Sequence, residues 1–165
     1  MSLYIVMGVS GCGKSTVARM LAQETDGLFL DGDDFHPPAN IEKMAAGVPL
    51  TDDDRRGWLD ALNSELKARQ TEEKPIFLAC SALRQIYRER LGKGFPSLHF
   101  IYLHGSKELI QARLSARKNH FMAPALLASQ FATLEEPTDA IIVEIEDPLP
   151  DMIKKILPQL INTTN

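Results

Sequence analysis

Cysteine is scarce in this chain. Cys12 and Cys80 are the only two in 165 residues, too few for a disulfide framework, so a reducing compartment, the cytoplasm, is expected. Long apolar runs are also missing, and none approaches the length of a membrane span. The short apolar stretch at the start has no basic leader and merges into a glycine-rich loop, which argues against a secretion signal. Positive charge is in deficit, with a formal net charge of -4, so no nucleic-acid partner is expected. An anionic small molecule would have to be met by a local cluster of Arg and Lys. Repeats, low-complexity tracts and Pro/Gly-rich linkers are absent, which predicts one domain over residues 1–165. Hydrophobic residues make up 44% of the chain, an ordinary share for a single packed core.

What is present begins at Gly8. Gly8-Val9-Ser10-Gly11-Cys12-Gly13-Lys14-Ser15 matches the phosphate-binding pattern G-x-x-x-x-G-K-[ST] without a mismatch. Gly8, Gly11 and Gly13 let the backbone turn its N–H groups inward around phosphates. Lys14 is placed to reach the outer phosphates of a nucleoside triphosphate, and Ser15 to ligate Mg²⁺. Thr16 and the residues after it open a helix whose positive end faces the same anions. The apolar run Leu3–Met7 before the loop reads as a strand buried on both faces. A bland alternative, a glycine-rich turn that binds nothing, is disfavoured by this strand–loop–helix setting.

Further candidate strands are Leu28–Leu30, Ile76–Cys80, Leu98–Leu103 and Ala140–Glu144. Helical stripes lie between them: Trp58, Leu59, Leu62 and Leu66; Leu83, Ile86, Tyr87 and Leu91; and Leu109, Ile110 and Leu114 after Ser106 as N-cap. A closing helix through Met152 to Leu157 is expected to be disturbed near Pro158. This alternation predicts an α/β fold: a five-stranded parallel sheet covered by helices on both faces, three layers in all. Ligands in such folds bind beyond the carboxyl ends of the strands.

Chemistry-bearing residues cluster at those ends. Asp31 and Asp33 follow the second strand; one carboxylate is a candidate to hold Mg²⁺ and the other to orient an acceptor hydroxyl. A simple Asp-Gly turn is the competing reading. Arg55 is a candidate for an anionic substrate. Arg84 and Arg88 stand four apart and are expected to share one helix face, where a common carboxylate or phosphate would relieve their repulsion. Ordinary solvated arginines are the alternative. Arg113 and Arg117 precede Lys118-Asn119-His120, a basic segment suited to closing over a triphosphate. A helix C-terminus favoured by its dipole explains the same charges.

Taken in order, these segments resemble the gluconokinase family of small P-loop kinases. The likeness rests on the phosphate loop, on D-G-D-x-x-H-P-x-x-N-x-x-K-M-x-x-G-x-P-L-x-D-x-D-R from Asp31, on A-C-S-A-L-x-x-x-Y-R from Ala79, and on H-F-M followed by Leu126-Leu127-Ala128-Ser129-Gln130-Phe131. The resemblance implies a nucleoside-monophosphate-kinase-like fold with a lid, placed here at about residues 113–131. It also implies ATP-dependent phosphorylation of D-gluconate to 6-phosphogluconate, Mg²⁺, and a homodimer. On that basis Lys14, Asp33 and Arg117 are the expected catalytic residues. Residues Gly8 to Thr16 (Val9, Ser10 and Cys12 among them) and Arg113 are expected on ATP. Asp33, His36, Arg55, Arg84, Arg88 and His120 are expected on the sugar acid, and Ser15 and Asp31 on the metal.

The chain departs from the family pattern at Gly57, Arg84, Ala123 and Ala140. The Arg84 departure touches substrate affinity more than reaction type, because a guanidinium differs in geometry from the usual lysine. Cys12 sits where serine is common; a small loop-filling residue is the leading reading, and a thiol pKa lowered by the helix N-terminus, with redox sensitivity, is the alternative. Another small acid, such as shikimate, is the alternative acceptor. A nucleotide-binding regulator is the alternative class, and the absence of an N-K-x-D motif argues against a GTPase switch.

Overall fold

The computed structural model describes residues 2–71, 73–116 and 124–162. Five strands, β1 (Leu3–Met7), β2 (Leu28–Asp31), β3 (Ile76–Ala79), β4 (His99–His104) and β5 (Ala140–Glu144), form one sheet in the order β2-β3-β1-β4-β5. Every pairing is parallel. The helices are α1 (Lys14–Glu24), α2 (Pro38–Ala45), α3 (Asp52–Ala68), α4 (Gln85–Leu91), α5 (Lys107–Ala116), α6 (Pro124–Thr133) and α7 (Leu149–Asn162). A 3₁₀ turn, Gly32–Phe35, follows β2.

All five residues of β1 and all four of β3 are buried, as strands covered on both faces must be. That explains their unbroken apolar sequences. α1 packs on β1, β2 and β3 and against α7, whereas α3 packs with α4. β4 begins one residue later than the apolar run suggests and runs on to His104, because Phe100 to His104 pair with Ala140 to Glu144.

Local signals behave as their chemistry requires. α3 starts in a full capping box: Thr51 Oγ1 accepts from the Asp54 N–H, and the Asp54 carboxylate accepts from the Thr51 N–H. Ser106 caps α5 through the Leu109 N–H at 3.1 Å. α7 continues through Pro158 instead of being broken there. Its buried face of Met152, Ile153, Ile156 and Leu160 holds it on the core, and this packing outweighs the lost hydrogen bond.

Candidate active site

The phosphate loop leaves β1 and enters α1 at the carboxyl edge of the sheet. Gly8, Gly11 and Gly13 all have positive φ. Gly13 is the N-cap of α1 in the left-handed conformation, with φ 96° and ψ 23°, so a side chain there would strain the turn that aims the helix end at the loop. The Gly8 N–H donates to the Ser81 carbonyl at 3.3 Å, tying the loop to the end of β3. Lys14 Nζ donates to the Val9 carbonyl at 3.1 Å, which folds the lysine over its own loop.

The Asp31-Gly32-Asp33 turn lies opposite. Asp31 caps the 3₁₀ turn by accepting the Asp33 N–H at 3.0 Å, and its other oxygen accepts from Ser15 Oγ at 3.3 Å. Gly32 is required by close approach, since a Cβ there would lie 2.6 Å from the Ala79 carbonyl. Asp31 therefore faces the loop, and Asp33 stands on the next turn beside His36, with 3.8 Å between Asp33 Oδ1 and His36 Nε2. The Ser15 hydroxyl and Asp31 carboxylate are two hard oxygen donors within one coordination sphere, a pair that fits Mg²⁺ with the remaining positions left to phosphate and water.

A pocket joins these parts. Lys14, Ser10, Asp33, His36 and Arg55 line it, together with Trp58, Ser81 and Gln130 and an apolar wall that includes Leu50 and Leu83. His36 stacks on Trp58, with ring centroids 4.1 Å apart and planes 14° from parallel. Trp58 is fixed in turn by donating Nε1–H to the Gly32 carbonyl at 2.7 Å. Burial lowers the His36 pKa, Asp33 opposes that shift, and Arg55 adds to it. Arg55 is buried, donating to the Leu50 carbonyl at 2.7 Å and to Tyr87 Oη at 3.1 Å.

Arg84 and Arg88 lie elsewhere. Arg84 has an extended backbone as the N-cap of α4, so the two do not share a helix face. Its guanidinium binds Asp52 at 2.8 Å and the Glu135 carboxylate at 3.3 Å. Tyr87 Oη donates to the same Asp52, and this bond, followed by those from Arg84, holds the Asp52 carboxyl below its ordinary range. Arg88 is buried and donates to the carbonyls of Ala82 at 2.7 Å and Glu135 at 2.9 Å. The group that relieves their repulsion is thus Glu135 of this chain, and neither arginine is among the residues that line the pocket.

Arg113 donates to the Ile145 carbonyl just after β5. Arg117 and His120 lie outside the described residues. Cys12 is buried, as a loop-filling residue is, and burial raises its thiol pKa against the pull of Lys14, which removes the alternative of a lowered value. Cys80 is pushed up to about 12 by the same cause. Trp58 and Gln130 join the site with little local sequence signal of their own. Trp58 belongs to the apolar stripe of α3, which hides its place in the pocket wall. Gln130 comes from α6, 120 residues away from the loop it touches, and its one visible signal was its place in the L-L-A-S-Q-F segment.

A phosphate loop at a topological switch of a parallel sheet, a hydroxyl–carboxylate pair beside it, and a second carboxylate on the adjoining pocket define a P-loop phosphotransferase. Residues 3–137 match the model of the AAA domain family. The thermoresistant gluconokinase of Escherichia coli (strain K12) is 49% identical over 155 residues, covering 92% of this chain and 89% of that protein. The crystal structure of a gluconokinase from Sinorhizobium meliloti 1021 superposes with a TM-score of 0.88 at 39% identity, over 98% of this chain and 92% of the other. Shikimate kinase from Aquifex aeolicus vf5 shares the fold, with a TM-score of 0.60 at 19% identity over 98% of each chain. The chain belongs to the gluconokinase family.

Proposed function

We infer that this protein transfers the γ-phosphoryl group of ATP to the terminal hydroxyl of D-gluconate, yielding 6-phospho-D-gluconate and ADP. The observation that carries the reading is the convergence of Lys14, Asp33, His36 and Arg55 on one pocket beside the phosphate loop. The loop amides from Gly8 to Thr16 and Lys14 hold the phosphates. Asp33 orients the acceptor hydroxyl and takes its proton as the new O–P bond forms and the bond to the leaving ADP oxygen breaks. Phosphoryl transfer is usually loose, so alignment of the hydroxyl counts for more than the basicity of Asp33.

Ser15 and Asp31 would hold Mg²⁺, which would supply positive charge to offset that of the phosphates. Arg55 and His36 bind the sugar acid. Arg84 supports it indirectly, by fixing Asp52 and hence the start of α3, and Arg88 holds the Glu135 segment. Arg113, Arg117 and His120 are assigned to a lid over about residues 113–131 of a single kinase domain, 1–165. A homodimer in the cytoplasm completes the reading, and light scattering of the purified protein tests the dimer.

The deciding experiment follows ADP release from Mg-ATP with D-gluconate, shikimate, glucose or no acceptor, with the product identified by mass. Stimulation by gluconate alone supports the assignment. Stimulation by shikimate alone, or none in a folded ATP-binding sample, removes it.

A further inference from the structure

Asn40 is a polar residue buried to 2% exposure on α2, and no step of the reaction uses it. Its Nδ2 donates to the Asp54 main-chain carbonyl at 2.8 Å. The same nitrogen lies 3.3 Å from His36 Nδ1. A main-chain carbonyl can only accept, so the orientation of the Asn40 amide is determined by Asp54. Its second proton is then directed at the imidazole.

Two N–H donors cannot face each other across 3.3 Å. His36 Nδ1 must therefore be the bare, accepting nitrogen, and the ring proton must sit on Nε2. Nε2 is the atom beside Asp33 Oδ1, at 3.8 Å. The ring has little freedom to escape this arrangement, since its side chain is 4% exposed and it is stacked on Trp58. The other charged groups facing it are Asp33 and Arg55, and its burial favours the neutral ring in which a tautomer has to be chosen.

We propose that Asn40 is a positioning residue that sets the tautomer of His36, so that the pocket is offered an Nε2–H donor beside the Asp33 carboxylate. A substrate hydroxyl bound between the two would accept from His36 and donate to Asp33, which gives its oxygen and its proton defined directions. With the opposite tautomer, a lone pair and a carboxylate would face the same hydroxyl, and its single proton could satisfy only one of them. This role rests on the acceptor pocket proposed above, but the tautomer itself belongs to the substrate-free protein.

The test is a long-range ¹H–¹⁵N NMR spectrum of the substrate-free, full-length protein at neutral pH, with the His36 signals assigned by their loss in His36→Gln. The expected pattern is a protonated Nε2 and a bare Nδ1. A protonated Nδ1, or an even mixture, in the folded wild type overturns the proposal. In Asn40→Asp the amide donor becomes an acceptor, and the proton should move onto Nδ1. The KM for the acceptor should rise about tenfold while the KM for ATP stays within about twofold. An unchanged tautomer in folded Asn40→Asp also overturns the proposal. Absence of gluconate turnover in the wild type would sink the substrate assignment and leave the spectrum to decide the role of Asn40.

Discussion

Gln130 grips Ser10 twice. Its Oε1 accepts from the Ser10 N–H at 2.7 Å, and its Nε2 donates to the Ser10 hydroxyl at 3.0 Å. One side chain thus clamps α6 to the middle of the phosphate loop. Gln130→Ala is expected to release that clamp and lower kcat roughly tenfold, the scale of effect that follows from imperfect alignment. Steady-state kinetics with ATP and gluconate check it, and an unchanged kcat would make the clamp a packing contact only.

Lys14 and Asp33 should fail differently. Lys14→Ala removes the loop's side-chain cation and is expected to cost at least about a hundredfold in kcat. Asp33→Asn keeps the shape of the turn and removes the carboxylate proposed to accept the proton. Its kcat should fall by about a hundredfold or more while the KM for ATP changes little. Near-normal turnover by Asp33→Asn would take it out of the reaction.

Arg55 and Arg88 are both buried arginines, with opposite expected phenotypes. Arg88 spends its guanidinium on the Ala82 and Glu135 carbonyls and on Gln85, so Arg88→Ala leaves buried acceptors unpaired. A stability loss of about 3 kcal/mol in urea titration is expected, with little change in KM for the active fraction. Arg55→Lys retains the charge in the pocket with poorer geometry, and should raise the KM for the acid more than it lowers the unfolding midpoint.

Acid should loosen the start of α3. The Asp54 carboxyl is lowered from 3.8 to about 2, first by the Lys43 ammonium and then by the Thr51 N–H. A folded pKa below the unfolded one means that its stabilisation is present above about 3.8 and is lost as pH falls toward about 2. Across that window, Asp54→Asn should show a shallower fall in urea midpoint than the wild type. Parallel curves would assign the acid sensitivity to other carboxylates.

The sheet was legible because its strands carry their burial in their composition: Leu3–Met7 and Ile76–Ala79 are apolar at every position. The phosphate loop was legible because positive φ at Gly8, Gly11 and Gly13 demands glycine. α2 carries little helical signal in its sequence. It is a short element that leaves Ile41 52% exposed, so it has little apolar stripe to reveal it. Arg84 and Arg88 looked like an anion site because helix spacing brings such pairs together. Their partners, Asp52 and Glu135, are 32 and 51 residues distant from Arg84, and no local pattern announces such a bond. The Gln130–Ser10 clamp was hidden for the same reason.

Trp58 is the only tryptophan in the chain, and it lies in the pocket wall, stacked on His36. All of the protein's indole emission therefore originates within contact of the place where the acceptor is proposed to bind. The fold has in effect installed its own optical probe: a ligand entering the pocket, or a proton arriving on the imidazole, changes the surroundings of one emitter and no other.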